Sequence, residues 1–225
     1  MFAQIAFSWD WEYARRIFPI IAEGLLQTVV ATLLGISIGM VLGLVLALLR
    51  RSRFRVIRWP TIAFIEFVRS TPLLVQLFFI FFVFPGFGLV LSPFVTLVVG
   101  LGIHYATYTS ESYRAGIENV EHGQWEASTA LNLSPATTWT RIVLPQAIPT
   151  VIPALGNYLV AMFKDAPLGF AVAAGGILLA AQAEASRSFQ PIEPYTIMGA
   201  LFLAVSIPAA FFVRYLERRY GYERV

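Results

Sequence analysis

Long uncharged apolar stretches recur along this chain, and they restrict it to folds that a lipid bilayer can surround. A helix needs about 20 predominantly apolar residues to cross the hydrocarbon core. The chain has 225 residues, of which 58% are hydrophobic, and its mean hydropathy is +0.72. This composition is too apolar for a soluble domain of that size. We predict an all-α polytopic membrane protein that forms a single domain over residues 1–225.

Five apolar stretches are predicted to be membrane-spanning helices. They cover about residues 19–49, 60–84, 94–116, 147–163 and 195–213. The first stretch is longer than a bilayer requires, so its helix can tilt. It also carries Gly35, Gly39 and Gly43 at a constant spacing, a pattern that favours close packing against another helix in lipid.

A further apolar stretch, residues 168–183, does not fit the same description. It is short, it follows Pro167, and it contains Gly169, Gly175 and Gly176. A complete crossing here would also carry the arginine-rich C-terminus to the side opposite the other arginine cluster. We therefore predict a re-entrant or interfacial half-helix on the outer side, where neighbouring protein can cover its irregular backbone.

The placement of the arginines predicts the orientation of the spans. Five arginines lie within residues 50–58, and four more follow the last span at Arg214, Arg218, Arg219 and Arg224. Residues 85–93, between the second and third spans, carry no charge. Because short cytoplasmic loops are enriched in Lys and Arg, we expect the N-terminus outside and the C-terminus in the cytoplasm. Basic clusters also bind nucleic acid, but these adjoin membrane spans, so we expect no nucleic-acid partner.

Motifs that are missing exclude several classes of enzyme. The chain has no cysteine, and so neither disulfides nor thiolate metal ligands. It has no G-x-x-x-x-G-K-S/T loop for ATP phosphates, no H-E-x-x-H zinc motif and no G-x-S-x-G nucleophile motif. His104 has no second histidine nearby in sequence and is predicted to be a packed polar residue. We expect this chain to be no enzyme and to bind no metal or cofactor itself.

Pro72 interrupts the second span among polar residues. A proline cannot donate to the helical hydrogen-bond ladder, so it is expected to kink this helix. The carbonyl group that it frees, together with Ser70, Thr71 and Gln76, is a candidate lining for a polar pathway. The alternative is a purely structural kink, with the Arg69 side chain reaching toward the membrane surface.

Thr107, Glu111 and Arg114 share one face of the predicted third helix, because they occupy positions i, i+4 and i+7. Polar side chains within a span are costly and often functional, which makes these residues candidates for the same pathway. The alternative is a Glu111–Arg114 ion pair that anchors the inner end of the span. Glu111 lies about 25 Å along the helix at 1.5 Å per residue, which is near that end.

Lys164 and Asp165 end the fourth span, just before Pro167. A carboxylate beside a helix break is a candidate contact for a cationic group of a substrate, with Asn157 as a neutral partner. The alternative is an ion pair between Lys164 and Asp165 at the membrane surface.

Residues 118–146 form a charged, proline-containing segment between two apolar runs. After Gly, Asn is the residue that most readily ends a helix in the left-handed conformation, as expected at Asn132. Ser134 is a favourable N-cap, and Pro135 suits the first helical position after it. The segment therefore predicts a helix, a turn and a second helix.

The same segment resembles the cytoplasmic coupling loop of bacterial ABC-importer permeases. The family pattern is Glu-Ala-Ala, followed by a Gly and then by Ile-x-Leu-Pro. Here it reads Glu126-Ala127-Ser128, Asn132 and Ile142-Val143-Leu144-Pro145. The two departures are mild, since Ser is small and Asn tolerates the turn.

Further motifs resemble the polar-amino-acid branch of that family: residues 67–76, residues 105–117 and Lys164-Asp165-Ala166-Pro167-Leu168. The run 153–165 looks most like the ectoine and hydroxyectoine subgroup. Ala166, Gly169, Phe170 and Gly176 depart from the residues usual in the family, which leaves the substrate open.

The resemblance implies a type I ABC importer permease fold in the bacterial inner membrane. It implies that Glu126, Ala127, Ser128 and Asn132 contact a separate ATPase, present in two copies, which would bind the ATP and magnesium. A second permease chain, identical or homologous, and an external solute-binding protein would complete the assembly. The implied function is import of polar amino acids or amino-acid-like solutes by alternating access. The alternative is an ion-coupled secondary transporter of small zwitterions, although such transporters commonly contain inverted repeats and no internal repeat is visible here.

Overall fold

The computed structural model describes residues 9–220, and within this range the chain is an all-helical bundle around one long helix. The α-helices are α1 (Trp11–Arg50), α2 (Arg55–Arg69), α3 (Leu73–Phe78), α4 (Pro93–Glu118), α5 (His122–Ala130), α6 (Pro135–Thr138), α7 (Leu144–Asp165), α8 (Ile177–Ser188) and α9 (Ile192–Tyr220). Short π- and 3₁₀-helical segments extend α3 (Phe79–Val83 and Phe84–Phe87), join α6 to α7 (Trp139–Val143) and follow α7 (Ala166–Val172). Arg224, in the predicted cytoplasmic tail, lies outside the described residues.

Helix α1 begins at a strong cap and is longer than a bilayer requires. The Asp10 carboxylate accepts hydrogen bonds from the backbone N–H groups of Glu12 and Tyr13, both at 2.9 Å, and so pairs two amides that the helix itself leaves free. The helix has 40 residues, which corresponds to about 60 Å at 1.5 Å per residue. It therefore starts well before residue 19, where the predicted span begins.

The glycine stripe of α1 packs against α4. The Thr109 hydroxyl donates a hydrogen bond to the carbonyl oxygen of Gly39 at 2.8 Å. A Cβ atom built on Gly35 would lie 3.1 Å from the Cβ of Leu101. The absence of side chains thus lets the two backbones approach, which confirms the packing role predicted for the stripe. The main hydrophobic core lies beside this contact and contains the fully buried Leu77, Leu101 and Met162.

The predicted second span is broken in two. Helix α2 ends at Arg69, and α3 starts after Pro72 at an angle of 106° to it. Since Pro72 has no amide hydrogen, it cannot continue the ladder of α2, and it serves instead as the N-cap of α3. The sequence predicted a kink at this proline, and the structure shows a complete change of direction.

Three helical stretches of the described chain are long and apolar enough to cross a membrane, namely Trp11–Arg50, Pro135–Val172 and Ile192–Tyr220. The bent pair formed by Arg55–Arg69 and Leu73–Phe87 makes a fourth if it is counted as one span. The predicted third span corresponds to α4, whose second half is polar and lowers its hydropathy. The count of five spans and their orientation therefore stay predictions.

The predicted half-helix at residues 168–183 is helical in two pieces. A 3₁₀ segment, Ala166–Val172, is followed by a break at which Ala173, Gly175 and Gly176 have φ angles of 53°, 83° and 94°. The α-helix proper is α8, which starts at Ile177 and continues to Ser188, beyond the predicted end. Two side chains of α1 pair with the free amides at its start. Gln27 accepts from Gly176 N–H and Thr28 from Ile177 N–H, each at 3.0 Å.

The segment 118–146 has the predicted helix–turn–helix form. Asn132 has φ 51° and ends α5. Its N–H donates to the carbonyl oxygen of Thr129, and the N–H of Leu133 donates to that of Ser128, both at 3.0 Å. These are the two hydrogen bonds of a Schellman motif. The Ser134 hydroxyl then caps α6 by accepting from Thr137 N–H. Both local predictions for this loop are confirmed.

Packing at Gly43 provides a test of the contact between α1 and α4. A Cβ atom there would overlap the Thr109 hydroxyl and lie 2.8 Å from the carbonyl oxygen of Ala106. We expect Gly43→Ala to destabilise the protein by about 1–3 kcal/mol, because the helices must separate. Thermal unfolding in detergent measures this effect. The control is Gly199→Ala in α9, where no neighbour lies within 4 Å and Ala favours the helix by about 1 kcal/mol. Equal behaviour of the two variants would contradict the packing assignment.

Candidate functional site

Gln76 closes the break between α2 and α3. Its side-chain amide nitrogen donates to the carbonyl oxygen of Val68 at 2.7 Å, to that of Thr71 at 3.0 Å and to the Thr71 hydroxyl at 2.8 Å. The Val68 carbonyl is the one that Pro72, four residues later, cannot pair. Thr71 also donates to this carbonyl, from its N–H at 3.3 Å and from its hydroxyl at 3.1 Å. Gln76 adds the further donor that the proline lacks, since buried carbonyls are normally paired.

The contacts of Gln76 also determine the tautomer of His104. Backbone carbonyls only accept hydrogen bonds, so the atom of Gln76 that faces them must be the amide nitrogen. The amide oxygen of Gln76 then faces Nδ1 of His104 at 3.1 Å. Nδ1 must carry the hydrogen and donate it. The break in the second span is thereby tied to the middle of α4.

An aromatic cluster continues from His104 along α4 and reaches α7. The His104 ring lies 5.6 Å from that of Tyr105 and 5.2 Å from that of Tyr108, measured between centroids. Tyr158 of α7 lies 5.9 Å from Tyr108. The Arg69 guanidinium lies 5.3 Å from the centre of the Tyr108 ring, a distance at which cations are attracted to aromatic faces. One face of this aromatic cluster therefore already contacts a cation, the Arg69 guanidinium.

Asp165 places a carboxylate beside Tyr105, at one end of this aromatic cluster. The Tyr105 hydroxyl donates a hydrogen bond to its Oδ2 at 2.7 Å, and the side chain is half-buried. Lys164 is exposed, and no ion pair links it to Asp165 in residues 9–220. The alternative of a Lys164–Asp165 pair is therefore wrong. The carboxylate turns toward α4 because Tyr105 offers a hydrogen bond there.

The structure brings together only some of the predicted pathway residues. Thr71, Gln76 and Asp165 belong to one connected group through His104 and Tyr105. Ser70 ends α2 at the edge of this group. Thr107 is fully buried and donates to the carbonyl oxygen of His104 in its own helix.

Asn157 points elsewhere, because its amide donates to the Glu217 carboxylate of α9 at 2.8 Å. Its role as a neutral group in the pathway stays a prediction. Tyr158 was not among the site residues predicted from the sequence. Its signal was its spacing of seven residues before Asp165, which places both on one face of α7.

Glu111 and Arg114 form the ion pair that was the alternative to a pathway role. A guanidinium nitrogen of Arg114 lies 2.9 Å from Glu111, and Arg114 also pairs with Glu118. Arg50, the last residue of α1, pairs with the same Glu111 carboxylate. This charge network joins the end of α1 to α4. Because Glu111 is already engaged by two arginines, the geometry favours the anchoring role.

Helix α5 presents an exposed face beside a buried one. Glu126 and Ala127 are exposed, and Leu131 at the tip is 72% exposed. Ser128 is buried and donates to the carbonyl oxygen of Gln124 at 2.6 Å, so it faces the body of the protein. Trp125 packs edge-on against Trp139, with ring centres 5.6 Å apart. This tryptophan contact fixes which face of α5 points outward.

Comparison with known proteins places the chain in a family. Residues 39–222 match the model of the binding-protein-dependent transport system inner membrane component. The chain belongs to this family. It is thus a multi-pass permease of the inner membrane and a transport protein, not an enzyme. Membership implies an ATPase and a binding protein as partners, and it removes the support for an ion-coupled secondary transporter.

Individual relatives agree with this family. The chain is 43% identical over 216 residues to the probable amino-acid ABC transporter permease protein y4tG of Sinorhizobium fredii, covering 94% of both chains. It is 35% identical over 183 residues to the L-cystine transport system permease protein TcyB of Bacillus subtilis, covering 81% of this chain and 78% of the other.

Solved structures agree on the architecture. A crystal structure of an amino acid ABC transporter with histidines superposes with a TM-score of 0.88 at 31% identity, covering 95% of this chain and all of the other. An inward-facing structure of the MetNI methionine ABC transporter, at 20% identity and a TM-score of 0.72, shares the fold. The fold is that of a type I ABC importer permease, as the motifs implied.

The role of Gln76 at the break is open to a direct test. Gln76→Leu keeps the size of the side chain but leaves the carbonyl of Thr71 and Nδ1 of His104 without these partners. Each unpaired buried group costs about 1–3 kcal/mol, so we expect a lower unfolding temperature in detergent. The control is Gln146→Leu, since exposed Gln146 donates only to the carbonyl oxygen of Ile142 in the same helical run. If both variants unfold like the wild type, Gln76 does not hold the break.

Proposed function

We propose that this chain is the membrane permease of an ATP-driven importer for polar amino acids and related zwitterions. The observation that carries the proposal is the half-buried Asp165 carboxylate, held by Tyr105 at the end of an aromatic cluster and beside two helix breaks. A free amino acid carries both a carboxylate and a cationic nitrogen. Asp165 suits the cationic nitrogen, and the aromatic faces suit the same charge. The relatives include permeases named for glutamine and for glutamate and aspartate import.

Within this class we propose ectoine or hydroxyectoine as the substrate. The support is the resemblance of residues 153–165 to that subgroup. A cyclic amidinium has a delocalised positive charge and a flat face, which suit a carboxylate flanked by tyrosines.

The proposed mechanism is alternating access driven by a separate pair of ATPase subunits, which hold the ATP and magnesium. A second permease chain, identical or homologous, faces this one, and an external binding protein delivers the substrate. The exposed face of α5, with Glu126 and Ala127, docks into an ATPase cleft, and Ser128 and Asn132 shape the helix that docks. Closure of the two ATPases on ATP moves the coupling loops together and opens the path outward, and hydrolysis resets it.

Asp165→Asn tests the substrate contact. The asparagine oxygen can still accept the Tyr105 hydrogen bond, so folding is retained while the charge is lost. Breaking one partner of a desolvated charge pair costs about 2–5 kcal/mol, so we expect uptake to fall about tenfold or more with basal ATP hydrolysis unchanged. Uptake of radiolabelled ectoine and of glutamine into proteoliposomes measures the effect and ranks the two substrates. The control is Lys164→Gln, which neutralises the exposed neighbour. Normal uptake by Asp165→Asn would remove Asp165 from the pathway.

Ala127→Trp and Glu126→Arg test the coupling loop. Both residues are exposed, so the variants are expected to fold and insert normally but to lose the ATPase subunit. A charged pair at a desolvated interface costs about 2–5 kcal/mol to break, whereas a solvated surface charge is worth about 0–1 kcal/mol. Retention of the ATPase on affinity-purified permease is the measurement. Ala204→Trp is the control, because it adds the same bulk to an exposed position of α9. Full retention with normal uptake in both loop variants would contradict the docking assignment.

A further inference from the structure

Phe189 combines two unfavourable features at the turn between α8 and α9. Its backbone has φ 57° and ψ 21°, the left-handed conformation, and its side chain is 90% exposed. Bulky residues rarely adopt this conformation, which Gly or Asn accepts far more readily. Because the ring is exposed, it adds no hydrophobic stabilisation to the fold of this chain. Both local strain and hydrophobic exposure therefore occur at one residue.

Neighbouring hydrogen bonds hold the turn in this conformation. The Ser188 hydroxyl donates to the carbonyl oxygen of Glu184 at 2.8 Å and accepts from Gln190 N–H at 3.1 Å. The Tyr13 hydroxyl of α1 donates to the same Ser188 oxygen at 2.7 Å. Side chains of α1 and α8 thus fix the turn, and the Phe189 ring is presented on a rigid support. Strain that the surroundings maintain in this way is typical of functional positions.

The turn lies at the end of the bundle away from the arginine clusters. Helix α9 starts just after the turn and carries Arg214, Arg218 and Arg219 at its other end, while Tyr13 lies at the start of α1, whose other end carries Arg50 and Arg51. The positive-inside rule therefore places Phe189 on the outer side. Irregular backbone is not tolerated against the lipid hydrocarbon, so the turn lies in water or among the headgroups.

Charged residues surround the same position. Arg187, two residues earlier, has a side chain that is 74% exposed and contacts Glu184 at 2.8 Å. On α1, Arg15 and Arg16 are exposed, and Arg16 lies 5.5 Å from the centre of the Tyr13 ring. The exposed acids Asp10 and Glu12 lie at the same end of α1. Aromatic and arginine side chains are the ones most enriched in interface hot spots, and Phe189 and Arg187 are both exposed at this turn.

We propose that Phe189 is the anchor through which the external binding protein docks on this permease. The partner surface that fits is an apolar pocket for one aromatic ring, with a polar rim that includes an acidic group for the exposed Arg187 side chain. This inference rests on the proposed function, which supplies both the binding protein and the outward orientation. It adds a specific contact residue, which the family membership does not provide.

Replacing Phe189 separates docking from folding. Phe189→Gly removes the ring and also relieves the left-handed strain, so its unfolding temperature should equal or exceed that of the wild type. Phe189→Trp keeps an aromatic anchor. For complexes of permease and ATPase in lipid nanodiscs, we expect Phe189→Gly to raise the Kd for the substrate-loaded partner binding protein by about tenfold or more. Phe189→Trp should stay within about threefold, the usual context dependence of such contacts. Phe212→Ala, at an exposed position on the body of α9, is the control and should leave the Kd unchanged. An unchanged Kd for Phe189→Gly would overturn the proposal.

A cysteine label tests the location of the same residue. The chain has no cysteine, so Phe189→Cys introduces a single thiol for a membrane-impermeant maleimide. We expect labelling in right-side-out vesicles, slowed by the binding protein. Labelling in these vesicles that the binding protein does not slow would overturn the docking role. If the binding protein still stimulates ATP hydrolysis in the same vesicles, the proposed function as an importer is retained and only the role of Phe189 is excluded. Labelling only in inside-out vesicles would overturn the orientation on which the proposed function depends. Labelling in neither would place the ring in the membrane and exclude docking.

Discussion

Backbone amides and carbonyls that are shielded from water must be paired, and this requirement decides where the helices of this chain can break. The two breaks nearest the candidate site are closed in the same way, by side chains that replace missing backbone hydrogen bonds. Gln76 donates to the carbonyls of Val68 and Thr71 before Pro72, and for Thr71 it replaces a missing backbone donor. Gln27 and Thr28 of α1 supply acceptors for the amides at the start of α8. Without these side chains, each break would leave unpaired groups inside the bundle.

The polar half of α4 is tolerated because other helices cover it. Thr107, Thr109 and Ser110 are buried and donate to carbonyl oxygens of α4 itself. Thr109 also donates to the backbone of α1, where the glycine stripe allows the two helices to approach. Polar side chains that face protein are compatible with a membrane helix, whereas the same residues facing lipid would be costly. This cover is what allows His104 and Tyr105 to form a polar site within the bundle.

Helix α7 connects the two candidate functional regions. It follows the π-helical segment Trp139–Val143 and ends at Asp165, a length of about 33 Å for its 22 residues. Tyr158 and Asp165 lie toward one end, and the loop that carries α5 adjoins the other. In the proposed mechanism, this continuous helix is the shortest path from an ATPase movement to the substrate contact.

The sequence by itself determined the class of fold, the break at Pro72, the left-handed turn at Asn132 and the family of the chain. Each of these depends on local properties: apolar length, a missing amide hydrogen, a tolerated φ angle, or a short motif. Only the tertiary structure decided which polar side chains meet. Gln76 and His104 are 28 residues apart in sequence, and Tyr105 and Asp165 are 60 apart. Asn157 pairs with Glu217 of α9, and Glu111 pairs with Arg50 at the end of α1. A side chain takes the partner that packing brings within hydrogen-bond distance, and helix packing is not encoded in the spacing of residues along one helix.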